Sequence, residues 1–167
     1  MHDDSLIATT LGQLLGNRQW TITTAESCTG GGIASVITSI DGSSAWFEQG
    51  FITYSNSAKQ QQLGVAEALL INHGAVSEAA VIAMATGARE KANANVAIAV
   101  SGVAGPEGGS TDKPVGTVWL AWAIQDTDTV AKCYQFKGGR DAVRAQAVTR
   151  AIDELNKALS KKSCIKH

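Results

Sequence analysis

Ile7, Leu11, Leu14 and Leu15 recur at helical spacing between Ser5 and Asn17, which predicts an amphipathic helix at the head of the chain. Trp20 to Ala25 then alternates like a strand. The small-residue run Glu26-Ser27-Cys28-Thr29-Gly30-Gly31-Gly32 reads as a turn, with Ile33, Val36, Ile37 and Ile40 suiting a helix behind it. Ser27 therefore falls at a strand-to-helix junction. Gly42-Ser43-Ser44 marks a loop, Phe47 to Tyr54 predicts a strand, and Ser55-Asn56-Ser57 offers caps for a helix with Lys59 in its first turn. Ser77 can cap an Ala-rich helix running to about Ala92.

Val96 to Val100 is almost wholly apolar, the signature of a central strand. It leads into a second glycine-rich loop, Ser101 to Ser110, and then a strand over Gly116 to Ile124. Gln125 to Asp128 reads as a turn into a strand over Val130 to Lys137. Asp141 is a candidate cap for a last helix bearing Val143, Ala147, Ala151, Ile152, Leu155 and Leu159. Helices interleaved with buried strands define an α/β sandwich.

The 167 residues, 44% of them apolar, suit one domain with a substantial core, and the Lys-rich tail after Ser160 is expected to fray. With 14 Lys plus Arg against 15 Asp plus Glu, the charge of -1 advertises neither a nucleic-acid nor a membrane partner. A small-molecule partner is expected. Met1 to Trp20 has no secretory pattern and no stretch approaches a membrane span, so a cytoplasmic location is expected. Cys28, Cys133 and Cys164 have no metal-like spacing and read as reduced thiols.

The histidines are His2, His73 and His167, so a Ser-His-Asp triad would rest on His73 alone. A serine hydrolase can instead use a neutral lysine as proton acceptor. Ser27 and Lys59 fit that pairing, provided desolvation or the potential of a helix start lowers the lysine's pKa. The amides of Thr29, Gly30 and Gly31 are then candidates to face an oxyanion. Each residue also has a plainer reading: Ser27 as a helix cap, Lys59 as a solvated lysine, Tyr54 as a strand residue with a structurally bonded hydroxyl. Cys28 competes as nucleophile, but no sequence neighbour activates it, and packing is the better account.

The second loop matches neither a Walker A sequence nor a G-x-G-x-x-G fingerprint. Its Ser101, Gly102 and Gly105 either shape turns or bring backbone amides to a phosphate. Arg140 is either a bidentate phosphate clamp or an exposed residue at a helix start. Glu26 is an orienting carboxylate or an ordinary loop acid. No metal and no cofactor is called for.

Six segments occur in order: T-T-A-E-S-C-T-G-G (Thr23 to Gly31), G-S-S-A-W-F (Gly42 to Phe47), G-F-I-T-Y-S-N (Gly50 to Asn56, with Lys59), H-G-A-V-S-E (His73 to Glu78), S-G-V-A-G-P-E-G-G (Ser101 to Gly109) and K-P-V-G-T-V-W (Lys113 to Trp119). Together they resemble the CinA C-terminal-domain family, from about Leu6 to Leu159. The resemblance implies a three-layer α/β/α sandwich, a homo-oligomer, expected to be a dimer, and hydrolysis of the carboxamide of nicotinamide mononucleotide to nicotinate mononucleotide and ammonia. Ser27 would be the nucleophile and Lys59 its base, with Tyr54 assisting. The nucleotide-processing domain that precedes this one in longer CinA proteins is not expected here. Two rival readings remain, a mononucleotide-binding module without chemistry and an amidase acting on another nicotinamide-like substrate.

Overall fold

The computed structural model describes residues 4–163, so His2, His167 and Cys164 lie outside the described residues. In chain order the elements are α1 (Asp4–Arg18), β1 (Ile22–Glu26), α2 (Gly32–Thr38), β2 (Phe51–Ile52), α3 (Asn56–Leu63), α4 (Glu67–His73), α5 (Glu78–Ala92), β3 (Val96–Gly102), β4 (Thr117–Ile124), β5 (Val130–Gln135) and α6 (Arg140–Ser163). The strands form one sheet in the order β2-β1-β3-β4-β5. β1 runs parallel to β2 and β3, whereas β4 is antiparallel to both of its neighbours. β3 is therefore central, as its apolar sequence predicts.

The period-two alternation of the strands divides large from small side chains between the two faces. Ile22, Val96, Ile98, Val100, Val118, Leu120, Trp122 and Ile124 form one core cluster with residues of α1, α2 and α6. Ala25, Ala97, Ala99, Ala121 and Ala123 form another with Ala80, Val81, Met84, Ala85 and Ala88 of α5, joined by Leu63 and Leu70 from α3 and α4. Layers of helix, sheet and helix result. Small residues let α5 come close to the sheet and to α3, so close that a Cβ at Gly87 would lie 2.0 Å from the Leu63 carbonyl oxygen.

The strand expected over Phe47 to Tyr54 is reduced to Phe51–Ile52, with Phe47 making an isolated parallel bridge to Ile22. Thr23 Oγ1 donates to the Gln49 carbonyl at 2.8 Å, and a Cβ at Gly50 would lie 2.6 Å from Thr24 Oγ1. Side-chain bonding and close approach thus replace the ladder between Phe47 and Phe51. α4 was not anticipated, because its start at Ala66 has no side-chain cap to announce it. β3 runs through Ser101 and Gly102, which therefore end a strand instead of opening a loop. α6 starts at Arg140, with the Val143 amide donating to Gly139 O at 3.0 Å. Asp141 is consequently a first-turn acid, favourable toward the helix dipole, and not the expected cap. α6 also continues to Ser163, beyond the predicted onset of fraying at Ser160.

Candidate active site

Ser27 follows β1 directly, and its amide still donates across the sheet to Val100 O at 3.1 Å. The chain then turns through Gly30 and Gly31, with φ of 59° and 102°, values that glycine adopts without the penalty of a Cβ. Gly31, at the N-cap of α2, has no side chain with which to cap the helix. The fully buried Glu26 carboxylate does so in its place, accepting from Ile33 N at 2.8 Å, Ala34 N at 3.0 Å and Thr29 Oγ1 at 2.5 Å. Glu26 is thus the cap of α2 and not an ordinary loop acid, and the Ser27 hydroxyl is free of capping duty.

Thr53 N donates to Glu26 O at 2.8 Å, prolonging the pairing of β1 with β2 and holding the following backbone beside Ser27. Ser55 Oγ then caps α3 by accepting from Ala58 N at 3.0 Å. One turn in, Lys59 is 1% exposed, which excludes the solvated-lysine reading. Its Nζ lies 2.9 Å from Thr53 O, 3.1 Å from Tyr54 O and 3.1 Å from Ser27 Oγ. Nζ donates to all three, and the Ser27 hydroxyl donates to Tyr54 O at 3.4 Å. A neutral amine keeps two hydrogens for the carbonyls and has a lone pair with which to accept the Ser27 proton instead.

Burial lowers the Lys59 pKa from its ordinary 10.5 by disfavouring the ammonium form. Desolvation, one of the two causes expected from the sequence, is the largest. Among the described residues no carboxylate forms an ion pair with Lys59 to oppose it. The Cys28 thiol is pushed up to about 11, chiefly by burial, and joins the core cluster. Cys28 is therefore protonated at neutral pH and poorly suited to nucleophilic attack.

A cavity of about 280 Å³ opens over this pair. Ser27, Cys28, Tyr54, Asn56 and Lys59 line it from the first part of the chain, and Ser101, Gly102, Gly105, Glu107 and Arg140 from the second. Arg140 spans the two groups, donating from Nη1 to Gly105 O at 2.8 Å and from Nη2 to Tyr54 Oη at 3.1 Å. Tyr54 lies beyond β2, 61% exposed, instead of within a strand. Ser101 is buried on the lining.

Thr29, Gly30 and Gly31, expected to offer amides to an oxyanion, lie off the cavity lining. The Thr29 hydroxyl is committed to Glu26, the Gly30 amide donates to Ser27 O at 3.1 Å, and a Cβ at Gly31 would meet Ile52 at 3.1 Å. Sequence reasoning missed Asn56 and Glu107 on the lining, and also Arg144, which donates to Cys28 O at 3.0 Å and Thr29 O at 3.3 Å. Arg144 follows Arg140 by one helical turn, so the shared face of α6 was the available signal. Among the described residues no histidine lines the cavity, and no group of three or more His, Cys, Asp or Glu could hold a metal.

A buried lysine bonded to a serine at the end of a sheet strand, beneath a polar cavity, is an arrangement able to carry acyl transfer. The family model described as the CinA C-terminal domain matches residues 4–159, and the chain belongs to that family. It is 56% identical over 145 residues to the nicotinamide-nucleotide amidohydrolase PncC of Escherichia coli K12, covering 87% of this chain and 88% of that protein. A protein of the same name from Pseudomonas putida is 55% identical, over 89% of this chain and 92% of its own length. A solved CinA superfamily protein from Klebsiella pneumoniae superposes with a TM-score of 0.92 at 40% identity, over 96% of this chain and 99% of that one. A competence/damage-inducible protein from Agrobacterium tumefaciens matches equally, with a TM-score of 0.92, 40% identity and coverage of 96% and 97%.

Proposed function

We propose that this chain hydrolyses the carboxamide of nicotinamide mononucleotide, giving nicotinate mononucleotide and ammonia in pyridine nucleotide salvage. The observation that carries the reading is the 3.1 Å contact between buried Lys59 Nζ and Ser27 Oγ, taken with the names of the relatives above. Neutral Lys59 takes the Ser27 proton as Oγ bonds to the carboxamide carbon, and the carbonyl electrons move to oxygen. Ser101 offers its buried hydroxyl to that oxyanion. Collapse breaks the C–N bond, and the departing nitrogen receives the proton from Lys59 and leaves as ammonia. Water then attacks the Ser27 ester, giving one proton to Lys59, which returns it to Ser27 Oγ as the carboxylic acid departs and ionises, its proton passing to solvent or to the released ammonia.

Tyr54 and Arg140 form one hydrogen-bonded unit at the cavity. In this proposal Arg140 and the backbone at Gly102 and Gly105 receive the 5'-phosphate, away from the carboxamide. The residues need neither metal nor cofactor, and the enzyme works as a homo-oligomer, a dimer, in the cytoplasm. Among the described residues no helix is long and apolar enough to cross a membrane. Ammonia release from nicotinamide, its riboside and its mononucleotide tests the assignment. Release chiefly from the mononucleotide is expected, with the riboside a poor substrate. No release from any of them would leave a binding module, and preference for another of the three would redirect the specificity.

A further inference from the structure

The cavity carries two opposite charges that do not neutralise each other. Arg140 donates to uncharged oxygens, those of Gly105 and Tyr54. Glu107 lies on the same lining, and among the described residues its carboxylate forms no ion pair with Arg140 or any other cation. Its loop is also fixed at both ends. Arg140 holds Gly105, whose Cβ position would fall 2.5 Å from Val115 Cγ1, and the Ser110 amide donates to Lys113 O at 2.9 Å. Apart from the Ser27 partner Lys59, the ionisable side chains on the lining that carry charge are one carboxylate, Glu107, and one guanidinium, Arg140. Such a cavity suits a zwitterion, with an anion for the guanidinium and a cation for the carboxylate.

We propose that Glu107 is the counter-ion of the pyridinium ring and makes this site selective for the oxidised, positively charged nicotinamide nucleotide over its neutral dihydropyridine form. The inference rests on the carboxamide hydrolysis proposed above. The pyridinium nitrogen bears a formal charge that reduction of the ring abolishes, whereas phosphate, ribose and carboxamide remain the same. A bound ligand displaces water from the cavity, so the attraction operates at a lower effective dielectric than in open solvent. Glu107 does not touch the reacting bond in this scheme; it determines which ring is held over Ser27.

The test uses the Ser27→Ala protein, which holds ligands without consuming them, and calorimetric Kd values for oxidised and reduced nicotinamide mononucleotide. The oxidised form is expected to bind about fivefold more tightly, the upper end for a solvent-facing charge pair. Adding Glu107→Gln should bring the ratio to near one by weakening the oxidised form alone, and Glu107→Lys should invert it. A ratio near one with Glu107 intact would overturn the proposal, as would a preference that survives both substitutions. The second result would also follow if Glu107 bonded only ribose hydroxyls, which both forms share. Wild-type protein releasing ammonia from the mononucleotide, with either of those results, would remove the role of Glu107 alone. Wild-type protein releasing none would remove the hydrolase reading on which it rests.

Discussion

Lys59 combines a strongly basic group with 1% exposure, and its three polar contacts turn that conflict into a candidate proton acceptor. Ser27→Ala and Lys59→Ala are each expected to lower kcat by at least about a thousandfold, with the double variant little worse than either, because residues acting as a unit are not additive. Steady-state ammonia release from folded variants checks this; near-normal turnover in either would end the pairing. The pH dependence follows from the lowered pKa. Activity should rise with pH through an apparent pKa below 10.5, as the amine loses its proton and becomes able to accept one from Ser27. Stability should move in the same direction. Well below the folded-state pKa both folded and unfolded chains carry the charge, which burial makes costly in the folded state. Between that pKa and about 10.5 the unfolded chain binds more protons, so folding gains stability as pH rises, and above 10.5 the effect is complete. The Tm of wild type relative to Lys59→Met should therefore climb with pH over that window. A constant difference would mean that the Lys59 pKa is not lowered by folding.

At the scale of elements, Lys59 reaches Ser27 because α5 supports α3. Leu63 ends α3 one turn after Lys59, and Gly87 of α5 lies directly against its carbonyl. Gly87→Ala would thrust a methyl to within 2.0 Å of backbone, which cannot swing aside as a side chain would. We expect a loss of about 1–3 kcal/mol in stability together with reduced kcat, since α3 must shift and carry Lys59 with it. Gly16→Ala is the matched comparison. Gly16 is within α1 and a Cβ there meets nothing within 4 Å, so about 0.5–1 kcal/mol should be gained without change in activity. Chemical denaturation and ammonia release on the two variants separate these outcomes. If Gly87→Ala matched wild type in both, the close contact of α5 with α3 would be wrong.

For the molecule as a whole, legibility followed the range of the forces involved. Helical spacing in α1 and α6, the Ser55 and Ser77 caps and the apolar run of β3 are local signals, and each marked its element. The short β2 and uncapped α4 depend on distant partners, such as the Thr23 hydroxyl on Gln49, that no local pattern encodes. Ser27 and Lys59 were legible as chemical types in suitable turns, but the burial that changes the lysine comes from the assembled layers. Arg144 and Glu107 were missed for the same reason, since only the fold brings α6 and the second loop to the first. That convergence also separates the two ends of the proposed substrate. Ser27 and Lys59 come from residues around β1 and α3, whereas Arg140 starts α6 and bonds the second loop, so bond cleavage and phosphate binding should be separable by substitution. A charge-assisted phosphate contact contributes on the order of 1.5–3 kcal/mol, or roughly ten- to a hundredfold. The riboside should accordingly be a poor substrate, and Arg140→Ala should shrink the kcat/KM ratio of mononucleotide to riboside by about that factor. Arg140 also holds Tyr54 and Gly105, so part of the loss should fall on both substrates equally and leave the ratio untouched. The ratio isolates the phosphate. If it stayed at its wild-type value while both efficiencies fell, Arg140 would be organising the cavity without binding phosphate, and a wild-type ratio near one would remove the phosphate requirement itself.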